Sequence, residues 1–163
     1  MQANPMDRVE EAVEDTQTGR YLAFSLGEEA FAVEILYVTE IIGMQAITPL
    51  PEVPVYIKGI INLRGKVIPV IDMRLKFGKP PVEYNDRTCI IVVEQVDTTV
   101  GLIVDTVAEV ISISEESIVL PPSGADVQSS YLSGIGTVNG EIKLLLDCDR
   151  VLNDELPQEL REI

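Results

Sequence analysis

Two short turns in this chain have the residue types and spacing that could support binding chemistry. The first is Leu63-Arg64-Gly65 and the second is Val138-Asn139-Gly140. Asn-Gly is typical of a type I′ turn, in which both central residues have positive φ, whereas a left-handed conformation at Arg costs about 1 kcal/mol. Either the first turn has another type or its strain is tolerated. Because folding alone does not favour Arg64, its five donors predict capture of carboxylate or carbonyl groups.

The other reactive residue types do not form a catalytic pattern in this sequence. The 163-residue chain contains no His, which removes most acid–base and nucleophile–base arrangements. It has no phosphate-binding or dinucleotide-binding glycine motif. Glu115 and Glu116 are adjacent in a turn-like stretch and are interpreted as solvated, and Cys89 and Cys148 as reduced core thiols. We therefore expect no enzyme activity, cofactor or metal, although a small enzyme that uses paired carboxylates remains an alternative.

An internal repeat organises the elements that must position these residues. Residues 32–42 match residues 101–111, and residues 57–74 match residues 132–149. The strand-like runs alternate between apolar and polar residues and are separated by Gly, Pro, Asn and Asp, which favours small barrels or a sandwich. Halves of this size are marginal alone, so we expect them to share a core with a binding groove at their junction.

The repeat separates structural positions from functional ones, because both halves should keep what the fold needs. Asp72 recurs as Asp147, which favours a turn or helix cap over catalysis. Glu40 recurs as Glu109, which leaves open whether Glu40 binds a partner or has a structural role. Pro69 replaces a leucine of the second half, and because proline cannot donate to a ladder, it predicts an edge strand or a bulge.

The charge of the chain is strongly acidic but uneven. Net charge is −15, which argues against binding nucleic acid. Seven basic and three acidic residues lie between Lys58 and Arg87, so this basic island is +4 while the remainder carries −19. The basic island is either a surface for an acidic partner or a set of solvated side chains. Apolar runs are too short to cross a bilayer, so we expect a cytoplasmic protein without direct membrane insertion.

The central run "PEVPVYIKGIINLRGKVIPVIDMRLKFG" resembles the signature of the CheW family of chemotaxis coupling proteins. The stretches "FSLGEEAFAVEILYVTEII", "VGLIVDTVAEVISI" and "YLSGIGTVNGEIKLLLDCDRVL" are similar to its other strands, so the likeness covers most of the chain. It implies an all-β fold of two intertwined five-stranded SH3-like or OB-like barrels, with short helices at the C-terminus. The expected limits are an acidic disordered leader over 1–19, a CheW-like domain over 20–153 and a tail over 154–163.

Within that domain we expect the first barrel over about 20–85 and the second over about 86–153, with exchange of segments between them allowed. The resemblance also assigns roles to individual positions. It implies that Arg64 and Glu40 take part in coupling to receptors. The residues that it places in or beside the receptor groove are Ile35, Val38, Val100 and Gly101. A contact with the kinase on the second barrel, near Val107, is a further expectation.

The resemblance implies a scaffold that links the cytoplasmic tip of chemoreceptors to the regulatory domain of the histidine kinase CheA. Such a protein would act at the inner face of the membrane through its receptors, and alternating contacts with CheA would build rings and arrays. A related adaptor in a pilus or surface signalling pathway would have the same sequence features. The sequence alone does not separate these two pathways.

Overall fold

The computed structural model describes residues 18–121 and 129–153. The first repeat supplies five strands, a one-turn 3-10 helix at Ile35–Tyr37 and a short helix, α1 (Met73–Lys76). Its strands are β1 (Arg20–Leu26), β2 (Glu29–Glu34), β3 (Val38–Gly43), β4 (Ile57–Leu63) and β5 (Lys66–Asp72). The predicted leader lies outside the described residues except for Thr18 and Gly19, and residues 154–163 of the predicted tail lie outside them as well.

The second repeat has six strands, one more than the first. Its strands are β6 (Cys89–Gln95), β7 (Thr98–Val104), β8 (Thr106–Ser112), β9 (Ile118–Val119), β10 (Leu132–Val138) and β11 (Glu141–Leu146). Helix α2 (Cys148–Asn153) follows, and further one-turn 3-10 helices span Glu115–Ser117 and Ser129–Tyr131. The mostly β fold with short C-terminal helices is therefore confirmed.

The strands form two sheets that draw on both repeats. The five-stranded sheet has the order β3-β6-β7-β5-β4, and the six-stranded sheet has the order β8-β1-β2-β11-β10-β9. The prediction of five strands per unit missed the two-residue strand β9. The first repeat thus contributes β1 and β2 to the six-stranded sheet, and the second contributes β6 and β7 to the five-stranded sheet. The predicted boundary near residue 85 separates the two repeats along the chain, but each sheet contains strands from both repeats.

A shared core joins the two sheets, as the small size of each half predicts. One apolar cluster combines β1 and β2 with alternate residues of β6 and β7 and with both short helices. A row of rings crosses it, with centroids 5.6 Å apart for Phe24–Phe31, 5.4 Å for Phe31–Phe77 and 6.1 Å for Phe77–Tyr131. Stacked rings contribute beyond their buried area. Two smaller clusters fill the individual sheets, because successive strand residues face opposite sides.

Pro69 shows how the two repeats differ in strand pairing. Strand β5 lies between β4 and β7, so the prediction that Pro69 lies on an edge strand is wrong. Pro69 nevertheless pairs only with Ile60 of β4, because the parallel pairing with β7 begins one residue later, at Val70. Its counterpart Leu144 pairs on both sides. The missing N–H therefore falls where β5 has a single neighbour.

Candidate functional site

The turn that carries Arg64 has positive φ at both central residues, a conformation that is unfavourable for Arg. Arg64 has φ 52° and Gly65 has φ 88°, while Asn139 and Gly140 have φ 51° and 80°. The two hairpins thus share one backbone shape, and the first tolerates the strain. The Gly65 N–H donates to the Asn62 side-chain oxygen at 2.8 Å, which holds this turn. Arg64 is therefore presented on a rigid turn.

Arg64 forms an ion pair with Glu40, and its Nη2 donates to Oε2 of that carboxylate. Glu40 lies on β3, at one edge of the five-stranded sheet, whereas the Arg64 turn joins β5 to β4 at the opposite edge. Thr48 also forms a bridge with Ile60 of β4 through two backbone hydrogen bonds of 2.9 Å. The two edges therefore meet, and the sheet curls on itself. The Arg64 side chain stays 70% exposed, and that of Glu40 is 29% exposed.

A cavity of about 310 Å³ opens beside this ion pair. The described residues that line it all belong to the five-stranded sheet or its β4–β5 turn, namely Thr39, Glu40, Leu63, Arg64, Lys66, Ile68, Val92, Glu94 and Thr99. Lys66 Nζ donates to Thr99 Oγ1 at 2.8 Å on one side. Cations and carboxylates thus surround a partly apolar floor. This arrangement suits recognition of polar groups on a protein surface.

The predicted groove residues form a second group at the shared core. Ile35 and Val38 are half-buried and pack against that core. Val100 is 0% exposed, and Gly101 is buried in β7. A Cβ on Gly101 would lie 2.7 Å from Ile90 Cγ2, so this glycine is needed for close packing. Val100 and Gly101 are thus buried inside the protein, and a binding role for this group stays a prediction.

Strand β3 connects the Arg64–Glu40 ion pair with the predicted groove residues at the shared core. Its pairing with β6 shifts register between Val38 and Glu40. Val38 packs on the shared core, whereas Ile42, further along, packs on the cluster inside the five-stranded sheet. A β-bulge re-aims the side chains that follow it. The register shift at Thr39 thus lets β3 pack Val38 against the shared core while Glu40 pairs with Arg64.

Val107 lies apart from Arg64, on β8 at the edge of the six-stranded sheet. It is half-buried and packs against the shared core. Glu109, the repeat partner of Glu40, is exposed on the same strand. A contact between Val107 and a kinase stays a prediction.

Within the basic island, Lys76 and Lys79 are neither a surface for an acidic partner nor solvated side chains, which corrects the prediction for these two, whereas Lys58 and Arg87 are exposed. Lys76 is only 4% exposed, and its Nζ lies 4.3 Å and 4.6 Å from the ring centroids of Tyr56 and Tyr131. Lys79 forms an ion pair with Glu29. The cations of this helical region thus bind groups of the protein itself, a pattern that charge counting along the sequence does not reveal.

Arg74 ties the two sheets together through Asp105. Its Nε and Nη2 donate to Asp105 at 2.7–3.0 Å, and the Gly27 N–H donates to the same carboxylate at 2.7 Å. The Arg74 hydrogen bonds, helped by Gly27, lower the pKa of Asp105 despite its partial burial. Gly27 lies between β1 and β2, so this ion pair fixes α1 against the six-stranded sheet.

The repeated aspartates are structural, as predicted. Asp72 caps α1 by accepting from the Leu75 N–H at 3.2 Å, and it also accepts from the Tyr84 hydroxyl at 2.7 Å. Asp147 accepts from the Arg150 N–H at 3.2 Å at the start of α2.

Both cysteines are free, and Cys148 is buried in the core as predicted, whereas Cys89 is only half-buried. Burial, followed by the charges of Glu34 and Asp147, raises the pKa of Cys148 to about 12. A thiol with this pKa stays protonated and unreactive at neutral pH.

Sequence reasoning missed three parts of the site. Lys66 and Thr99 form a hydrogen bond at the wall of the cavity. Because they belong to different repeats, no sequence motif pairs them. Leu36, which lies between the predicted groove residues Ile35 and Val38, is 55% exposed. The exposure of a side chain depends on the fold and is not visible in a sequence.

The fold and site define a class: a two-sheet β protein whose candidate site is a protein-docking surface with a rigid polar rim. A CheW-like domain model matches residues 20–156. The chain is 36% identical to the chemotaxis protein CheW of Klebsiella aerogenes, with 86% of each chain covered. It is also 36% identical to that of Rhizobium meliloti, with 90% of this chain and 94% of the relative covered.

A solved structure supports the same family. The scaffolding protein TtCheW of Thermoanaerobacter tengcongensis is 39% identical and has a TM-score of 0.74, with 78% of this chain and 88% of that chain covered. The chain therefore belongs to the CheW-like domain family. Among the described residues, no helix is long and apolar enough to span a bilayer.

Proposed function

We propose that this chain is a scaffold that couples chemoreceptors to the histidine kinase CheA in bacterial chemotaxis. The observation that carries the proposal is Arg64, a strained and 70% exposed cation that is held at the rim of a cavity by Glu40. A turn that only had to fold would favour Asn, as the second repeat does. The names of the relatives, chemotaxis and scaffolding proteins, support the same role.

The receptor would bind across β3. Its cytoplasmic tip is a helical hairpin, and one helix would place apolar side chains against Ile35, Leu36 and Val38, which is the helix-in-groove mode. Arg64 would then bind a carboxylate or carbonyl group and fix the register of that helix. Glu40 would hold the guanidinium in position, because it is less exposed than Arg64.

The kinase would bind the other sheet, through its regulatory domain near Val107. Two separate surfaces on one chain would raise the local concentration of kinase at the receptor. Repetition of these contacts would build rings and arrays, in which each contact can be weak. The chain would then work at the cytoplasmic face of the membrane without entering it.

A pull-down with the immobilised full chain tests this assignment. Incubation with purified CheA and with the cytoplasmic fragment of a chemoreceptor should retain both proteins. A receptor from a pilus signalling pathway serves as the matched competitor. Retention of the pilus receptor alone would assign the chain to that pathway, and retention of neither receptor would contradict the coupling role.

A further inference from the structure

The six-stranded sheet contains a notch between two of its neighbouring strands. The parallel pairing of β2 with β11 begins only at Phe31 and Leu144. Before that point, Ala30 pairs with β1 alone and Ile142 pairs with β10 alone, among the strand pairs that the structure describes. The facing sides of these two segments are therefore available to another chain.

A cavity of about 520 Å³ occupies this notch. It is lined by Glu28, Glu29, Ala30, Glu141, Ile142 and Leu144. Ile142 is 62% exposed, and the Glu141 side chain is 75% exposed. Glu29 binds Lys79, and Glu141 lies 3.5 Å from Lys143. The notch thus combines an apolar floor with a carboxylate rim that its own lysines neutralise only in part.

The five-stranded sheet shows what occupies the equivalent place. There the parallel pairing of β5 with β7 begins at Val70 and Gly101. Lys66 Nζ crosses the gap that precedes it and donates to Thr99 Oγ1 at 2.8 Å. In the repeat alignment Glu141 stands at the position of Lys66, and Ala30 stands at the position of Thr99. At the first gap, the ammonium group of Lys66 bridges the two strands. At the second gap, the equivalent positions carry the carboxylate of Glu141 and the methyl group of Ala30.

We propose that the notch between β2 and β11 binds an extended peptide segment of a partner protein in which Lys or Arg alternates with apolar residues. The partner's cation takes the place that Lys66 fills in the first repeat and binds Glu28 and Glu141. Its apolar side chain covers Ile142 and Leu144, while its backbone follows the open strand edge. The net charge of −15 attracts such a segment.

The chain's own ends do not have this chemistry. Residues 1–17 contain five acidic residues and one arginine, and residues 154–163 contain four acidic residues and one arginine. Both segments would be repelled by the carboxylate rim. The notch also lies on neither the Arg64 rim nor the Val107 strand, so this inference is independent of the proposed function.

Amide NMR of the ¹⁵N-labelled full chain, titrated with the capped peptide KVKVK, tests the notch directly. Shifts should concentrate on the amides of Ala30 and Ile142, and the capped peptide EVEVE should produce none. The double substitution Ala30→Thr with Glu141→Lys rebuilds the Lys66–Thr99 bridge and should weaken binding about tenfold. Glu109→Lys makes the same change in charge on exposed β8 and should weaken binding less than about twofold.

Circular dichroism of each variant verifies the fold, and Glu141→Lys alone replaces the double variant if that variant fails to fold. Equal weakening by Glu109→Lys would show general attraction to an acidic protein and would overturn the proposal. Absence of binding at millimolar peptide, or shifts centred on another surface, would overturn it as well.

Discussion

Arg64 and Glu40 form an ion pair that joins the two edges of the five-stranded sheet, because β3 carries the carboxylate and the β4–β5 turn carries the guanidinium. The pair therefore has two consequences. It closes the sheet, and it holds an exposed cation in one orientation. The open question of whether Glu40 binds or positions is thus answered in part, since Glu40 contacts Arg64 directly.

The first prediction is that Arg64→Asn leaves the stability of the protein nearly unchanged. Asn adopts the left-handed conformation more easily, which recovers about 1 kcal/mol. Loss of an exposed ion pair costs roughly 0.2–1 kcal/mol, so the free energy of unfolding should change by less than about 1 kcal/mol. Urea denaturation measures this. A loss of several kcal/mol would show that the ion pair is needed for folding.

The second prediction separates packing from binding at Gly101. Gly101→Ala places a Cβ 2.7 Å from Ile90 and 2.9 Å from Val70, and such overpacking should lower the free energy of unfolding by about 1–3 kcal/mol. Gly43→Ala is the matched control in β3, because its Cβ would meet nothing within 4 Å. Thermal denaturation compares the two variants. Equal midpoints for Gly101→Ala and the unsubstituted protein would refute the packing role.

The third prediction concerns acid stability. Arg74 lowers the pKa of Asp105 below its ordinary 3.8, so the stability from this carboxylate is present above that value and is lost as pH falls below it. Asp105→Asn should therefore destabilise the protein more at pH 7 than at pH 3 in urea denaturation. Asp86→Asn, at an exposed loop position, should have a smaller effect at pH 7. A penalty for Asp105→Asn that is equal at both pH values would contradict the ion-pair role.

The sequence predicted the elements whose apolar residues alternate, and it predicted the repeat. The strand-like runs in the sequence are RYLAFSLG, EAFAVEI, KVIPVIDM, RTCIIVVEQ, TTVGLIVD and EIKLLLD, and they contain strands β1, β2, β5, β6, β7 and β11 in that order. The patterns did not identify β3 and β8 as strands, because neither strand contains a buried residue and both carry polar residues. Sheet membership was also beyond the sequence, since β1 and β2 pair with strands of the other repeat.

The candidate site was likewise predictable from the sequence only where local residues determine the geometry. Comparison of the two turns, which uses only local information, left positive φ at Arg64 as one of two alternatives, and the structure shows it. The basic island was misread because Lys76 and Lys79 bind residues that are distant in the sequence. Burial of Val100 and Gly101 was hidden for the same reason, because it depends on which strands surround β7.

Co-sedimentation of CheA with receptor-containing membranes is the most direct test of the scaffold function. Addition of the chain should move CheA into the pellet, and Arg64→Ala should reduce that fraction about tenfold with an almost unchanged thermal midpoint. Arg87→Ala, which removes another exposed arginine, should retain coupling. If CheA sediments equally with Arg64→Ala, or sediments without the chain, the account of Arg64 as the coupling residue of a scaffold is contradicted.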